Sequence, residues 1–543
     1  MIQYSKIKTL LIEDYADYAS AIISMLHAMG CNQVDHVSSA DSAIQKCRET
    51  SYDLILSDYN LGDNKDGQQV FEELRHFKLI PEDTCFIMIT AEKNVAMVMA
   101  ALESRPDSYL AKPFSRQLLK SRIDKSLTKR AIFKPINTAV KKKDWVKVEY
   151  LYQNLLKDTN RYTQDLKRIK LIILKNTVKP ESCQKYLEDE INERATPWAL
   201  KELGSLFYSI KQYTNSENIF KKMLLEFPSA IDGYDWLAKI QDKTNRPVEA
   251  QQTIERAISR SPKVLKRQRT LARFAEQNGD DKTMLNAYRQ TVKQGKHSVF
   301  SHPDEYVKLT KSLALNLKTI RNERRDKLIK EANNTFQQLQ SKFSDSSSIK
   351  FRGAVAHADF NVVIDDKRGV EKQIGIASKL FDQIDENIGA KECIEIATSL
   401  QYAGFSELAE NVLEDGVEQY FDNPVFLNQV KKITNNKNLI SNANKVNKIN
   451  TIAVKYFKSK QYDRSLKEFK LALSIAPNNI NIALNRAQAL LKKYQQKKQD
   501  HDLLMQAESI LSDIERLTSD DVRYVRYLEL MRLSQIMLQS ADI

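Results

Sequence analysis

Glycine and proline are scarce, 13 and 12 in 543 residues. Few sharp turns and many long helices follow from that. Cysteine is sparser still. The five residues Cys31, Cys47, Cys85, Cys183 and Cys393 are odd in number and widely spaced, with no Cys-x-x-Cys pair. That excludes a disulfide framework or a zinc site and leaves reduced, buried thiols. No apolar run reaches about 18 residues, so no transmembrane helix is expected. The start, Met1-Ile2-Gln3-Tyr4-Ser5-Lys6-Ile7-Lys8, lacks the long apolar region and small-residue cleavage site of a signal peptide. A cytoplasmic location is the expectation.

What is present begins with length. A chain of 543 residues suggests roughly three to four domain equivalents, or one domain plus a repeat array. The net charge of +14 is unevenly spread. Residues 1–125 carry 14 Lys+Arg against 18 Asp+Glu, a net of −4, which leaves +18 for the remainder. An acidic head on a basic body points to an acidic partner, to nucleic acid, or to attraction between the two parts.

In the first 130 residues, strand and helix periodicities alternate. Apolar runs predict strands at Ile7–Ile12, Gln33–Val37, Asp53–Ser57, Cys85–Ile89 and Ser108–Ala111. Helical spacing fills Ala16–Met29, Ser39–Arg48, Gly67–Phe77, Asn94–Leu102 and the stretch from Ser115 onward. Five strands alternating with five helices imply an α/β doubly wound parallel sheet covered on both faces. The residues just past the strand ends carry the chemistry: Glu13-Asp14, Asp58, Thr90 and Lys112-Pro113. All stand at one sheet edge, where ligands collect in such folds. Three carboxylates crowded there would raise one another's pKa, and a hard divalent cation with oxygen ligands relieves that. A hydroxyl and an ammonium beside them suit an incoming phosphoryl group.

This segment resembles the CheY-like receiver domain of two-component response regulators. The matching residues are Glu13-Asp14, Asp58, Thr90-Ala91, Tyr109 and Lys112-Pro113. The resemblance implies that Asp58 takes a phosphoryl group from a histidine kinase or phosphotransfer protein. It implies Mg²⁺ (or Mn²⁺) held by Asp14, Asp58 and the backbone carbonyl of Asn60, with Glu13 acting through water. It implies that Lys112 pairs with Asp58 and then with the phosphoryl oxygens, that Thr90 hydrogen-bonds the phosphoryl group, and that Tyr109 swings inward as the switch. The Lys112–Pro113 bond is expected to be cis. Asn60 and Glu92 flank the site where the family tunes self-dephosphorylation, and this pair suggests a short phosphoryl lifetime. The departures are Glu13 in place of the commoner Asp, a loop Leu61–Gly67 one residue longer than usual, and Gly62 where proline is frequent.

No glycine- or serine-rich linker follows. Leu118–Arg130 is predicted as a helix running into the body, with Pro135 as the break. The body repeats. Leu203-Gly204, Phe207, Ser216, Phe220, Met223 and Pro228 are followed in phase by Leu237-Ala238, Gln241, Ala250, Ile254, Ala257 and Pro262. A third copy carries Leu271-Ala272, Ala275, Met284, Tyr288 and Thr291. Another near the end reads Ile452-Ala453, Tyr456, Ser465, Phe469, Ala472 and Pro477. These spacings resemble the tetratricopeptide repeat (TPR) of 34 residues. Small residues let two antiparallel helices cross closely, large ones fill the space beside the crossing, and the pairs stack into an all-α solenoid. The expected domains are a receiver over 1–130, a first TPR-like array over 131–300 and a second, with degenerate repeats, over 301–543. Residues 297–350 fit the pattern poorly, and the loop Ser344–Ser348 is the expected divider.

The body offers no glycine-rich phosphate loop, no His-rich cluster and no cyclic-dinucleotide turnover string, so a binding role rather than a second active site is expected. The receiver's self-phosphorylation and self-dephosphorylation are the only expected chemistry. The basic runs Lys263–Arg269 and Arg321–Arg325 could meet phosphates. Acids interleave and no aromatic stacking platform accompanies them, so solvated helix faces are the favoured reading. The expected function is therefore a response regulator in which phosphorylated Asp58 controls protein binding by the solenoid. The alternative is phosphorylation-controlled RNA binding by the basic body. Expected partners are the kinase or phosphotransfer protein, a protein or peptide on the solenoid, and a second copy through the face bearing Tyr109. Nucleic acid is less favoured, and membrane insertion is not expected. The domain order resembles receiver–TPR regulators of the VieB type, which implies modulation of another two-component system.

Overall fold

The computed structural model describes the chain apart from residues 1, 63–64, 92–102, 104, 159–161, 318–322, 385–386, 435, 497–499, 515–516, 518–520 and 542–543. The predicted helix Asn94–Leu102, Glu92 and part of the run Arg321–Arg325 lie outside the described residues. The chain divides into two compact units, Met1–Glu305 and Tyr306–Ile543.

The first unit opens with a five-stranded parallel sheet: β1 (Lys8–Ile12), β2 (Gln33–Val37), β3 (Leu54–Asp58), β4 (Cys85–Thr90) and β5 (Ser108–Ala111), in the order β2-β1-β3-β4-β5. Strand order reverses between β1 and β3, which opens a crevice at the C-terminal edge. Alternate side chains sort to opposite faces. Leu10, Ile12, Ile55, Phe86 and Met88 pack under α2 (Ala40–Glu49) and α3 (Gly67–His76). Leu11, Leu54, Leu56, Ile87 and Ile89 pack under α1 (Ala16–Ala28) and the start of α4 (Arg116–Lys141). Burial on both faces explains why the central strands read as unbroken apolar runs. Caps set the helix starts. Ser39 and Ser115 accept from the amides of Ser42 and Leu118, and Asp66 with Gln69 forms a reciprocal capping box on α3.

Pro135 does not end the helix as expected. Helix α4 runs through it for 26 residues. A proline removes one helical hydrogen bond and crowds the preceding turn. Apolar burial on both sides outweighs this: Leu119 and Ile123 anchor the end against the sheet, while Phe133, Ile136 and Ala139 anchor the far end against Val148 and Tyr152.

Among the described residues, about twenty further helices follow. Their pairing shows a 34-residue period in the backbone itself. Lys211, Asn245 and Gly279 all take left-handed turns, at φ 63°, 60° and 71°. The residue after each donates its amide back to the carbonyl five residues earlier, at 2.8 Å in all three cases. Close helix crossings sit where small residues stand. Ser216 Oγ donates to the Gly204 carbonyl at 2.7 Å, and Ser465 Oγ to the Ala453 carbonyl at 2.9 Å, the same twelve-residue step in each unit. The division between units falls inside the helix Pro303–Leu317, not at the loop Ser344–Ser348. Tyr306, Leu309, Leu313 and Leu317 on that helix are buried, and the Tyr306 ring meets Phe343 edge-on, which ties this helix to the second unit. All five cysteines are free and buried. Burial raises every one of their pKa values, Cys47 and Cys85 to about 12, which keeps the thiols protonated and inert. No helix among the described residues is long and apolar enough to cross a membrane.

Candidate phosphoacceptor site

Strand ends deliver the site. Asp58 closes β3, Thr90 closes β4, Glu13 follows β1, and Lys112 follows β5. Residues spread over 100 positions therefore converge at the crevice. Glu13 (1% exposed), Asp58 (7%) and Thr90 (2%) are buried. Lys112 Nζ donates to Glu13 Oε2 at 2.7 Å and to Asp58 Oδ2 at 2.9 Å. It also lies 4.6 Å from the centre of the Tyr18 ring. The backbone holds this edge tightly: the Lys112 amide donates to the Thr90 carbonyl and the Tyr59 amide to the Ile89 carbonyl, both at 2.7 Å. The Lys112–Pro113 bond is cis.

Electrostatics follow from this crowding. Burial is the main cause that raises the Glu13 pKa, and the Asp58 charge adds to it, while Lys112 opposes both. Burial alone would lower the Lys112 pKa. Its bonds to Glu13 and Asp58 outweigh that, so the ammonium stays charged. Gly67 permits the close approach of α3. A β-carbon there would stand 2.1 Å from the Asp58 carbonyl oxygen.

The acidic group fits a hard cation. Glu13, Asp14 and Asp58 each offer an oxygen, and the three lie within 4.8 Å of one another. Glu13 Oε1 is buried without a hydrogen-bond partner, an orphaned acceptor of the kind a cation or its water satisfies. Asn60 is exposed on the loop beside them. A cavity of about 1090 Å³ opens over the site, and its wall includes Asp14, Asp58, Asn60, Thr90 and Lys112. Tyr109 is not part of that wall. It is half-buried in β5, opposite Met88, and packs against the core layer beneath α2 and α3.

One wall residue comes from far along the chain. Lys263 Nζ lies 3.1 Å from the Tyr59 hydroxyl and 3.4 Å from Asp66 Oδ2, at the edge of the same cavity. Four residues on, Arg267 is 3% exposed and grips Glu103 and Asp235, each with two hydrogen bonds. The basic run Lys263–Arg269 is thus only in part a solvated face: Lys263 and Arg267 meet Asp66 and Glu103 of the sheet domain, while Lys266 is exposed and Arg269 pairs with Glu305. Attraction between acidic head and basic body is realised at Lys263 and Arg267. Sequence reasoning missed it because lysines and arginines facing a docked domain read the same as lysines and arginines facing water.

Residues 9–124 match the response regulator receiver domain. The chemotaxis protein CheY-3 of Vibrio cholerae serotype O1 (strain ATCC 39315 / El Tor Inaba N16961) is 24% identical over 123 residues, 22% of this chain and 89% of that protein. The transcriptional regulatory protein ResD of Bacillus subtilis (strain 168) is 32% identical over 131 residues, which is 24% of this chain and 52% of ResD. Among solved structures, the receiver domain of sensor histidine kinase PA1611 from Pseudomonas aeruginosa PAO1, with a magnesium ion coordinated in its active site cleft, is 27% identical. It covers 22% of this chain and 98% of that one, with a TM-score of 0.21. The N-terminal part of the chain is a response regulator receiver domain.

Proposed function

We propose that Asp58 accepts a phosphoryl group from a histidine kinase or phosphotransfer protein, and that this controls protein binding by the helical body. The observation that carries the reading is the bridge of Lys112 between Glu13 and Asp58 inside an acidic, oxygen-lined cavity. An Asp58 carboxylate oxygen attacks the phosphorus of a phosphohistidine. The new O–P bond forms as the P–N bond breaks, and its electron pair stays on the imidazole, which then takes a proton. Lys112 screens the charge that gathers on the phosphoryl oxygens, as fixed donors do best in a partly dry site. Thr90 supplies a hydroxyl to the same group, and Tyr109 in the neighbouring strand is the switch residue. Glu13, Asp14, Asp58 and the Asn60 carbonyl would hold Mg²⁺, which supplies charge neutralisation between carboxylates and phosphoryl oxygens.

After the receiver over 1–130, the body reads as two TPR-type arrays, over 131–300 and 301–543. The 34-residue recurrence of left-handed turns and the small-residue crossings support this. Such arrays bind proteins through their surfaces, and a cytosolic partner suits the chain. The test is capture of partners from native cytosol by wild type and Asp58→Asn, each with and without a phosphodonor. A phosphodonor-dependent change in wild type alone supports the reading, and identical capture in all four arms refutes it.

A further inference from the structure

Among the described residues, the phosphoacceptor cavity is lined by a cation that the receiver itself does not supply. Lys263 stands in the turn before the helix Leu265–Asn278, some 200 residues from Asp58 in sequence, yet it lines the same cavity as Asp58, Asn60 and Thr90. Its ammonium sits over the Tyr59 ring, 5.0 Å from the centroid, and reaches the Tyr59 hydroxyl and Asp66.

Two features separate Lys263 from an ordinary surface ion pair. The first is its mounting. Arg267 on the following helix turn is buried and fixed by four hydrogen bonds to Glu103 and Asp235, so the array is anchored and Lys263 is held at the cavity mouth. The second is the looseness of its own partner. The Lys263–Asp66 contact is 3.4 Å long and the lysine side chain is 35% exposed, so water screens that pair. Asp66 does not depend on it either. Its other oxygen already caps α3, accepting from the Gln69 amide at 2.9 Å. A lysine on a flexible stem, held by a long, solvated ion pair and lining the cavity that gains negative charge, can change partners.

We infer that Lys263 is an anion-binding residue of the phosphoacceptor site, contributed by the helical body: it leaves Asp66 and binds the anionic group carried on Asp58. Gain of a phosphoryl group replaces one carboxylate charge with a more highly charged, multi-oxygen acceptor. Charge-assisted bonds to such an acceptor outcompete a long, solvated carboxylate pair. The movement of Lys263 then acts on the turn 261–264, which joins the helices Pro247–Arg260 and Leu265–Asn278. The array is thereby informed of the state of Asp58 by direct contact, in addition to any route through β5 and α4.

This inference rests on the receiver reading of Asp58, and one titration separates the two. Beryllofluoride with Mg²⁺, a phosphoryl mimic, is titrated into the full chain as wild type, Lys263→Ala, Lys263→Arg and Asp58→Asn, followed by ¹⁹F NMR at two salt concentrations. Wild type is expected to bind, and Asp58→Asn is not. Lys263→Ala should bind roughly five- to tenfold more weakly at low salt, with the gap narrowing at high salt. Lys263→Arg should recover most of the loss. Hydrogen exchange of the backbone over 261–266 should change on binding in wild type and not in Lys263→Ala, a signature that a merely structural lysine would not give. Equal affinity of wild type and Lys263→Ala overturns the inference and leaves the receiver reading standing. Tighter binding by Lys263→Ala also overturns it, because the lysine would then exclude the anion. No binding by wild type overturns the reading of Asp58 itself, and the inference with it.

Discussion

Lys112 Nζ lies 2.9 Å from Asp58 Oδ2, although 54 residues separate them. The bond is partly buried, and the same nitrogen holds Glu13. It therefore has two tasks, bridging two crowded carboxyl groups and presenting a donor where new charge arrives. Lys112→Ala should lower the rate of phosphoryl uptake from a small phosphodonor on the order of 100-fold. Lys112→Arg should recover part of it. Single-turnover labelling checks this, and an unchanged rate in Lys112→Ala would contradict the role.

Two glycines make opposite predictions. A β-carbon on Gly204 would meet the Phe220 ring at 2.6 Å, inside a close helix crossing. Gly204→Ala should destabilise the first unit by about 1–3 kcal/mol through overpacking. Gly375 lies exposed within the helix Lys367–Phe381, with open space where a β-carbon would go. Gly375→Ala should stabilise the second unit by about 1 kcal/mol, the helix-propensity difference. Urea unfolding of both variants reads the signs directly.

How much of this was legible in the sequence depends on where each signal lives. Asp58 and Thr90 end strands, and Lys112 and the Glu13-Asp14 pair follow strands, so their convergence could be read from apolar runs and turns alone. The repeat was legible at Gly204, Ala238, Ser216 and Pro228, where packing restricts side-chain size. Its backbone counterpart was not. The left-handed turns fall on Lys211, Asn245 and Gly279, and a lysine carries no local sign of a positive φ. Pro135 misled because the rule against proline in helices is local, while the burial of Ile123 and Phe133 that keeps α4 continuous is tertiary. Arg267 was hidden for a similar reason. Nothing near it in sequence reveals that Glu103, 164 residues earlier, is its partner.

A pH dependence should come from the second unit. His357 stacks on Phe336 with ring centres 4.1 Å apart, and its Nδ1 is buried without a partner. Burial, helped by the Lys372 charge, lowers its pKa from 6.5 to about 4, and Asp366 opposes this weakly. Between those values the unfolded chain binds a proton that the folded chain does not. The stability contributed by neutral His357 is thus complete above about pH 6.5 and is lost as pH falls towards about 4, by up to roughly 3 kcal/mol. His357→Phe should flatten the urea midpoint of the second unit across that window, and an unaltered pH profile would contradict the assignment.

The most direct measurement is the place of the phosphoryl group. The full chain is treated with a small phosphodonor and Mg²⁺, and the acyl phosphate is trapped and mapped by mass spectrometry. One phosphoryl group per chain is expected, labile to hydroxylamine, on the peptide containing Asp58 and absent from Asp58→Asn. Labelling that persists in Asp58→Asn, or that maps to a peptide outside the β3 edge, would contradict it.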